Sequence, residues 1–140
     1  QTCALPILQE KENGSASYME EEFGHKPTDE EIHTLVMSWY NSQTDAAILS
    51  GFAYNGAHVW LSVENQYNYK AAYDLAVQTG GETLPVTFKF GSDEQPEYHT
   101  FTQLEELKDF YTKAVGFIQT VLAEGWEKKD KFNLELYRIE

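Results

Sequence analysis

Only one cysteine, Cys3, stands among 140 residues, so neither an intrachain disulfide nor a multi-thiolate zinc site can form. Basic residues are also scarce. Ten Lys and Arg oppose 23 Asp and Glu, giving a formal net charge of -13 and a pI near 4.6. That field repels phosphate backbones and anionic lipids, which argues against nucleic acid or a membrane surface as a partner. No apolar stretch approaches the roughly 20 residues of a spanning helix, and the opening residues lack the basic start and apolar segment of a secretory signal. What the chain does have is 41% hydrophobic and 14% aromatic residues against 24% charged, a globular composition. Its 16.1 kDa suits one domain burying roughly two-thirds of its unfolded surface.

Gln1-Thr2-Cys3-Ala4-Leu5-Pro6-Ile7 corresponds to the codons of a widely used sequencing adapter. Residues 1–7 are therefore expected to be an assembly artefact, with the natural start missing and Cys3 foreign to the protein. From Leu8 to Pro27 the sequence is acidic, with the run Glu20-Glu21-Glu22, and shows neither helical nor strand periodicity. Residues 1–27 are expected to form a flexible acidic arm, and 28–140 a single α+β domain.

Thr28 and Glu31 make a capping box ahead of a helix whose buried stripe is Ile32, Leu35, Val36, Trp39 and Tyr40. This helix should end near Asn41, followed by a linker containing Asp45. Asn55-Gly56 is a type I′ hairpin signal. It puts Tyr54 opposite Ala57 and Phe52 opposite Val59 on one face with Leu61, and Ala53, His58 and Trp60 on the other. Ser62 should cap a helix to about Gln78, with Val63, Tyr67, Ala71 and Leu75 in one row and Tyr69, Ala72, Tyr73 and Ala76 beside it. Gly80-Gly81 supplies a left-handed stop. Strands are expected at 84–90 and 98–101. A Thr102–Glu105 capping box should open the longest helix, running along Leu107, Phe110, Ala114, Ile118 and Val121 to Gly125. Phe132, Leu134 and Leu136 alternate as a weak strand. The resulting fold class is α+β, a small antiparallel sheet of hairpin 52–61 with strands 84–90 and 98–101, packed against two or three helices.

Catalytic patterns are thin. His25, His33, His58 and His99 show no metal-ligand spacing, no serine lies in a Gly-x-Ser-x-Gly elbow, and Gly80-Gly81 lacks the Lys of a phosphate loop. Carboxylates are too abundant for any chosen pair to carry weight. No catalytic residue, metal or cofactor is expected. The cluster Glu64-Asn65-Gln66-Tyr67-Asn68-Tyr69 stands out, because amides and phenols are costly to bury unless hydrogen-bonded. Either Gln66 or Asn68 ties the helix start to nearby backbone, or the face formed with Tyr54, Trp60 and Tyr73 contacts a protein or glycan. The candidate contact residues are thus Tyr54, Trp60, Gln66, Asn68, Tyr69 and Tyr73.

Phe52-x-x-x-Gly56-x-x-x-Trp60-Leu61 resembles a domain of unknown function of phage and prophage proteins, associated with tail-fibre and tail-assembly genes. Tyr40-Asn41-Ser42 before the hairpin, Thr79-Gly80, the strand from Leu84 to Phe90 and the aromatic helix from Phe101 to Leu122 follow its order. The family's frequent Arg near the second helix start is Gln66 here. The resemblance implies a non-enzymatic tail structural or assembly protein, located in the virion or the bacterial host cytoplasm, whose partner is another virion or assembly protein. Two other readings stand beside it. One is an acidic inhibitor or nucleic-acid mimic, motivated by the net charge of -13. The other is a carbohydrate-active enzyme, motivated only by carboxylates and aromatics.

Overall fold

The computed structural model describes residues 3–10 and 16–137, with side chains from Gly24 onward. The element order is β1 (Cys3–Glu10), β2 (Ala16–Phe23), α1 (Asp29–Ser50), β3 (Phe52–Tyr54), β4 (Ala57–Val59), α2 (Val63–Gln78), β5 (Val86–Gly91), β6 (Pro96–Phe101) and α3 (Leu104–Asp130). A short 3-10 turn, Leu134–Leu136, follows. The class is α+β, as expected. The chain divides into two compact units, residues 1–42 with 125–140 and residues 43–124, the boundaries falling inside α1 and α3.

In the first unit, β1 and β2 pair antiparallel, with Leu5 opposite Glu21 and Ile7 opposite Met19. Sequence periodicity gave no strand in this acidic region. Gln1 and Thr2 of the adapter-like stretch lie outside the described residues. The α1 capping box forms in both directions: Thr28 Oγ1 accepts from the Glu31 amide at 3.1 Å, and the Thr28 amide donates to Glu31 Oε1 at 3.3 Å. His25 Nε2 sits 3.0 Å from the same carboxylate and, with the Thr28 amide, holds the Glu31 pKa below its ordinary value. Ile32 and Val36 are buried with Tyr137, and Leu35, Tyr40, Phe132 and Leu134 pack around them. The tail is not a strand. The Asn133 side chain accepts from the Glu135 amide at 3.1 Å, a local bond that competes with extended pairing and starts the 3-10 turn instead.

The second unit carries the larger core. Here α1 passes Asn41 and continues to Ser50, because the polar residues 41–45 contain no breaker and Ala46-Ala47 favour helix. It stops at Gly51, whose amide donates to Ile48 O and whose φ of +80° is left-handed. A Cβ on Gly51 would lie 1.8 Å from Val59 O, so only glycine fits where the helix end meets β4. The β3–β4 hairpin has the expected register, Phe52 opposite Val59 and Tyr54 opposite Ala57, with φ of 49° at Asn55 and 83° at Gly56.

The strands do not merge into one sheet: β3–β4 and β5–β6 are separate antiparallel ladders. Trp60 bridges them, its indole N–H donating to Gly91 O at 2.6 Å. Val86, Phe88 and Phe90 alternate inward while Thr87 bonds across the ladder to Thr100 at 2.8 Å. Pro85 stays outside the ladder, and its peptide bond with Leu84 is cis. Helix α3 begins without the expected box, since the Thr102 amide donates to Glu106 rather than Glu105. It also passes Gly125, which costs only about 1 kcal/mol relative to Ala inside a helix. The continuation to Asp130 places Lys128 and Lys129 at the negative end of the dipole. Leu107 and Phe110 are fully buried at the centre, with Phe88, Phe90, Phe101, Tyr54 and Tyr69 around them.

Candidate functional site

The six candidate contact residues do not form one face. Tyr54 is a core residue: its ring meets Phe110 edge-on at 5.1 Å and its hydroxyl donates to Asp109 Oδ2 at 3.1 Å. Burial and that carboxylate raise the Tyr54 pKa, while the Lys113 ammonium, 3.0 Å from Asp109, holds the acid below its usual range. Tyr69 is also core, packed on Phe88 at 4.7 Å and Phe110 at 5.0 Å, and burial pushes its phenol up to about 12. Neither ring can be offered to a partner without opening the core. Tyr73 is half-buried and stacked on Tyr111 at 4.8 Å. Trp60 is half-exposed beside His58, with its N–H already engaged.

Gln66 has the structural role weighed above. Its amide donates to Leu61 O at 2.8 Å, the Asn65 side chain donates to Trp60 O at 3.0 Å, and Ser62 Oγ caps the Asn65 amide at 3.2 Å. Two side chains of the cluster, Asn65 and Gln66, thus fasten the start of α2 to the end of the hairpin, and Ser62 caps the helix. Asn68 points to solvent.

What that fastening builds is a groove between the first half of α2 and the middle of α3, about 310 Å³ in volume. Its walls include Leu61, Val63 and Tyr67 on one side and Tyr111, Val115 and Ile118 on the other, with Gln66 and Lys70 as polar neighbours. Lys70 is ion-paired with Asp74, which raises its pKa. Val63 and Tyr67 are 72% and 74% exposed. The sequence sets two apolar rows side by side on α2 without choosing between them; in the folded unit Tyr69 and Ala76 of the neighbouring row are the buried ones. The signal for the groove was therefore present, as a second apolar row on α2, but its orientation was not. Among the described residues no three His, Cys, Asp or Glu group closely enough to hold a metal ion. No helix among them is long and apolar enough to cross a membrane.

Such a groove can accept apolar or aromatic side chains, with phenol hydroxyls and an ion pair at the rim for orientation. The family described as Domain of unknown function (DUF4376) matches residues 31–140. The chain belongs to this family. No curated protein and no solved structure matches it. The DUF4376 match covers the hairpin, both ladders of the second unit and the whole groove.

Proposed function

We propose that this DUF4376 protein is a non-enzymatic, phage or prophage tail-associated structural or assembly protein that works by binding another virion protein. The observation that carries the reading is the open apolar groove of α2 and α3, with exposed Val63 and Tyr67 at its lip. Exposed apolar rings beside a concavity are the usual anchors of a protein interface. The tail association comes from the Phe52, Gly56, Trp60 and Leu61 pattern, whose residues here shape the hairpin and its bridge to β5. A net charge of -13 favours encounter with a basic partner.

The test is a protein inventory of purified particles and of tail-assembly intermediates from a host carrying the phage or prophage. The expected result is this chain in the particles or in the intermediates, in fixed proportion to a tail protein. Its absence from both, in a lysate where it is expressed, would refute the proposal.

A further inference from the structure

Helix α2 has a second seam, outside the face it buries and running along the lip of the groove. Tyr69, Ala72, Tyr73 and Ala76 face the core, whereas Val63, Tyr67, Lys70, Asp74 and Val77 follow one another in alternate steps of four and three residues on the solvent side. That spacing is the stripe of a two-helix coiled coil. Its apolar members are large and open, Val63 at 72%, Tyr67 at 74% and Val77 at 48% exposure. Its middle is an exposed Lys70–Asp74 ion pair.

We propose that this seam is a self-association face, on which a second copy of the chain packs its own α2 antiparallel about a two-fold axis. The charges select both the occupant and the direction. An antiparallel two-fold passing midway between Lys70 and Asp74 sets Lys70 of one copy against Asp74 of the other, and the reverse, while Tyr67 and Val77 fall opposite each other in the flanking layers. Each of these four layers is then a complementary pair, while Val63, whose counterpart would be position 81 beyond the end of α2, lies outside them. A parallel arrangement would stack Lys70 on Lys70 and Asp74 on Asp74, which is repulsive in each layer. A seam with a balanced ion pair also lets two chains of net charge -13 meet where their local fields cancel. The 16 residues of α2 span about 24 Å, room for these four layers and little more. The interface is therefore isologous, each copy giving and receiving the same contacts. The seam shares Val63, Tyr67 and Lys70 with the groove, so a second copy and a virion protein would compete for these side chains, but the dimer is tested on the chain alone and its failure leaves the tail-associated reading standing.

Sedimentation equilibrium of the full chain over a concentration series, up to about 1 mM, tests the proposal. The parent is expected to dimerise. Lys70→Asp and Asp74→Lys alone should each weaken the dimer at least about tenfold, because each puts like charges in both central layers. Mixed in equal amounts, the two variants should pair with each other and restore parent-like association, a rescue that damage to the fold would not produce. Both positions are exposed, so circular dichroism of each variant should match the parent. A parent that stays monomeric throughout, single variants that dimerise like the parent, or folded variants that do not pair on mixing would overturn it.

Discussion

Replacing Phe110 by alanine probes the core that holds the groove open. Phe110 is fully buried, and six aromatic rings surround it: Tyr69 at 5.0 Å, Tyr54 at 5.1 Å, Phe90 and Phe101 at 5.4 Å, Phe88 at 5.6 Å and Phe52 at 6.3 Å. Truncation removes the transfer free energy of the ring and leaves a cavity that the surrounding large rings cannot collapse into, so the cost should reach about 5 kcal/mol, the upper end for Phe→Ala. Ring-to-ring terms of about 0.5–1.5 kcal/mol per pair push the same way without adding in full. Against a total stability of about 5–15 kcal/mol, and about 3 °C per kcal/mol at this size, the melting temperature should fall by about 15 °C. Urea unfolding followed by circular dichroism measures it. Phe117→Ala is the internal comparison: that ring is half-buried and stacks on Phe52 at 5.6 Å, so its loss should cost about 1–2 kcal/mol. A Phe110→Ala cost below about 1 kcal/mol, or one no larger than that of Phe117→Ala, would refute this placement of the core.

Leu107→Ala, fully buried one turn earlier on α3, should cost about 2–5 kcal/mol by the same unfolding measurement. Gly51→Ala should prevent stable folding or lower the melting temperature far more than Gly56→Ala. Both residues have left-handed φ, but only the first would drive a Cβ into backbone, 1.8 Å from Val59 O. Ser62→Ala should cost about 1 kcal/mol through loss of the α2 cap, read as a shift of the urea midpoint with unchanged slope. Burial pushes Tyr69 up to about 12, above its unfolded value of 10.0. Its contribution to stability is therefore complete below pH 10 and is lost as pH rises through 10 toward 12. An ultraviolet titration should show tyrosinate at Tyr69 appearing only with unfolding, and Tyr69→Phe should flatten that alkaline loss.

The hairpin was legible because Asn55-Gly56 dictates one turn and one turn dictates one register, and Gln66 because a buried amide beside free carbonyls must bond to them. The helix ends were less legible. Residues 41–45 look like a loop in composition yet contain nothing that stops a helix, and Gly125 looks like a stop yet is tolerated inside one. Which row of α2 faces inward was not legible at all, since both rows carry aromatic and aliphatic residues at helical spacing. Only the positions of Phe88 and Phe110 decide that Tyr69 goes in and Tyr67 stays out. The candidate site moved for that reason, from the tyrosines of the core row to the groove beside the exposed one.

If the groove is a protein contact surface, purified tails should bind through it. Tagged parent and Val115→Glu, a change in the groove wall away from the α2 seam, would be compared at matched melting temperatures. The account predicts that the parent sediments with tails and that Val115→Glu loses at least about tenfold in affinity, as expected for a charge placed in an apolar contact. Equal sedimentation of a folded Val115→Glu variant, or none of the parent, would contradict it.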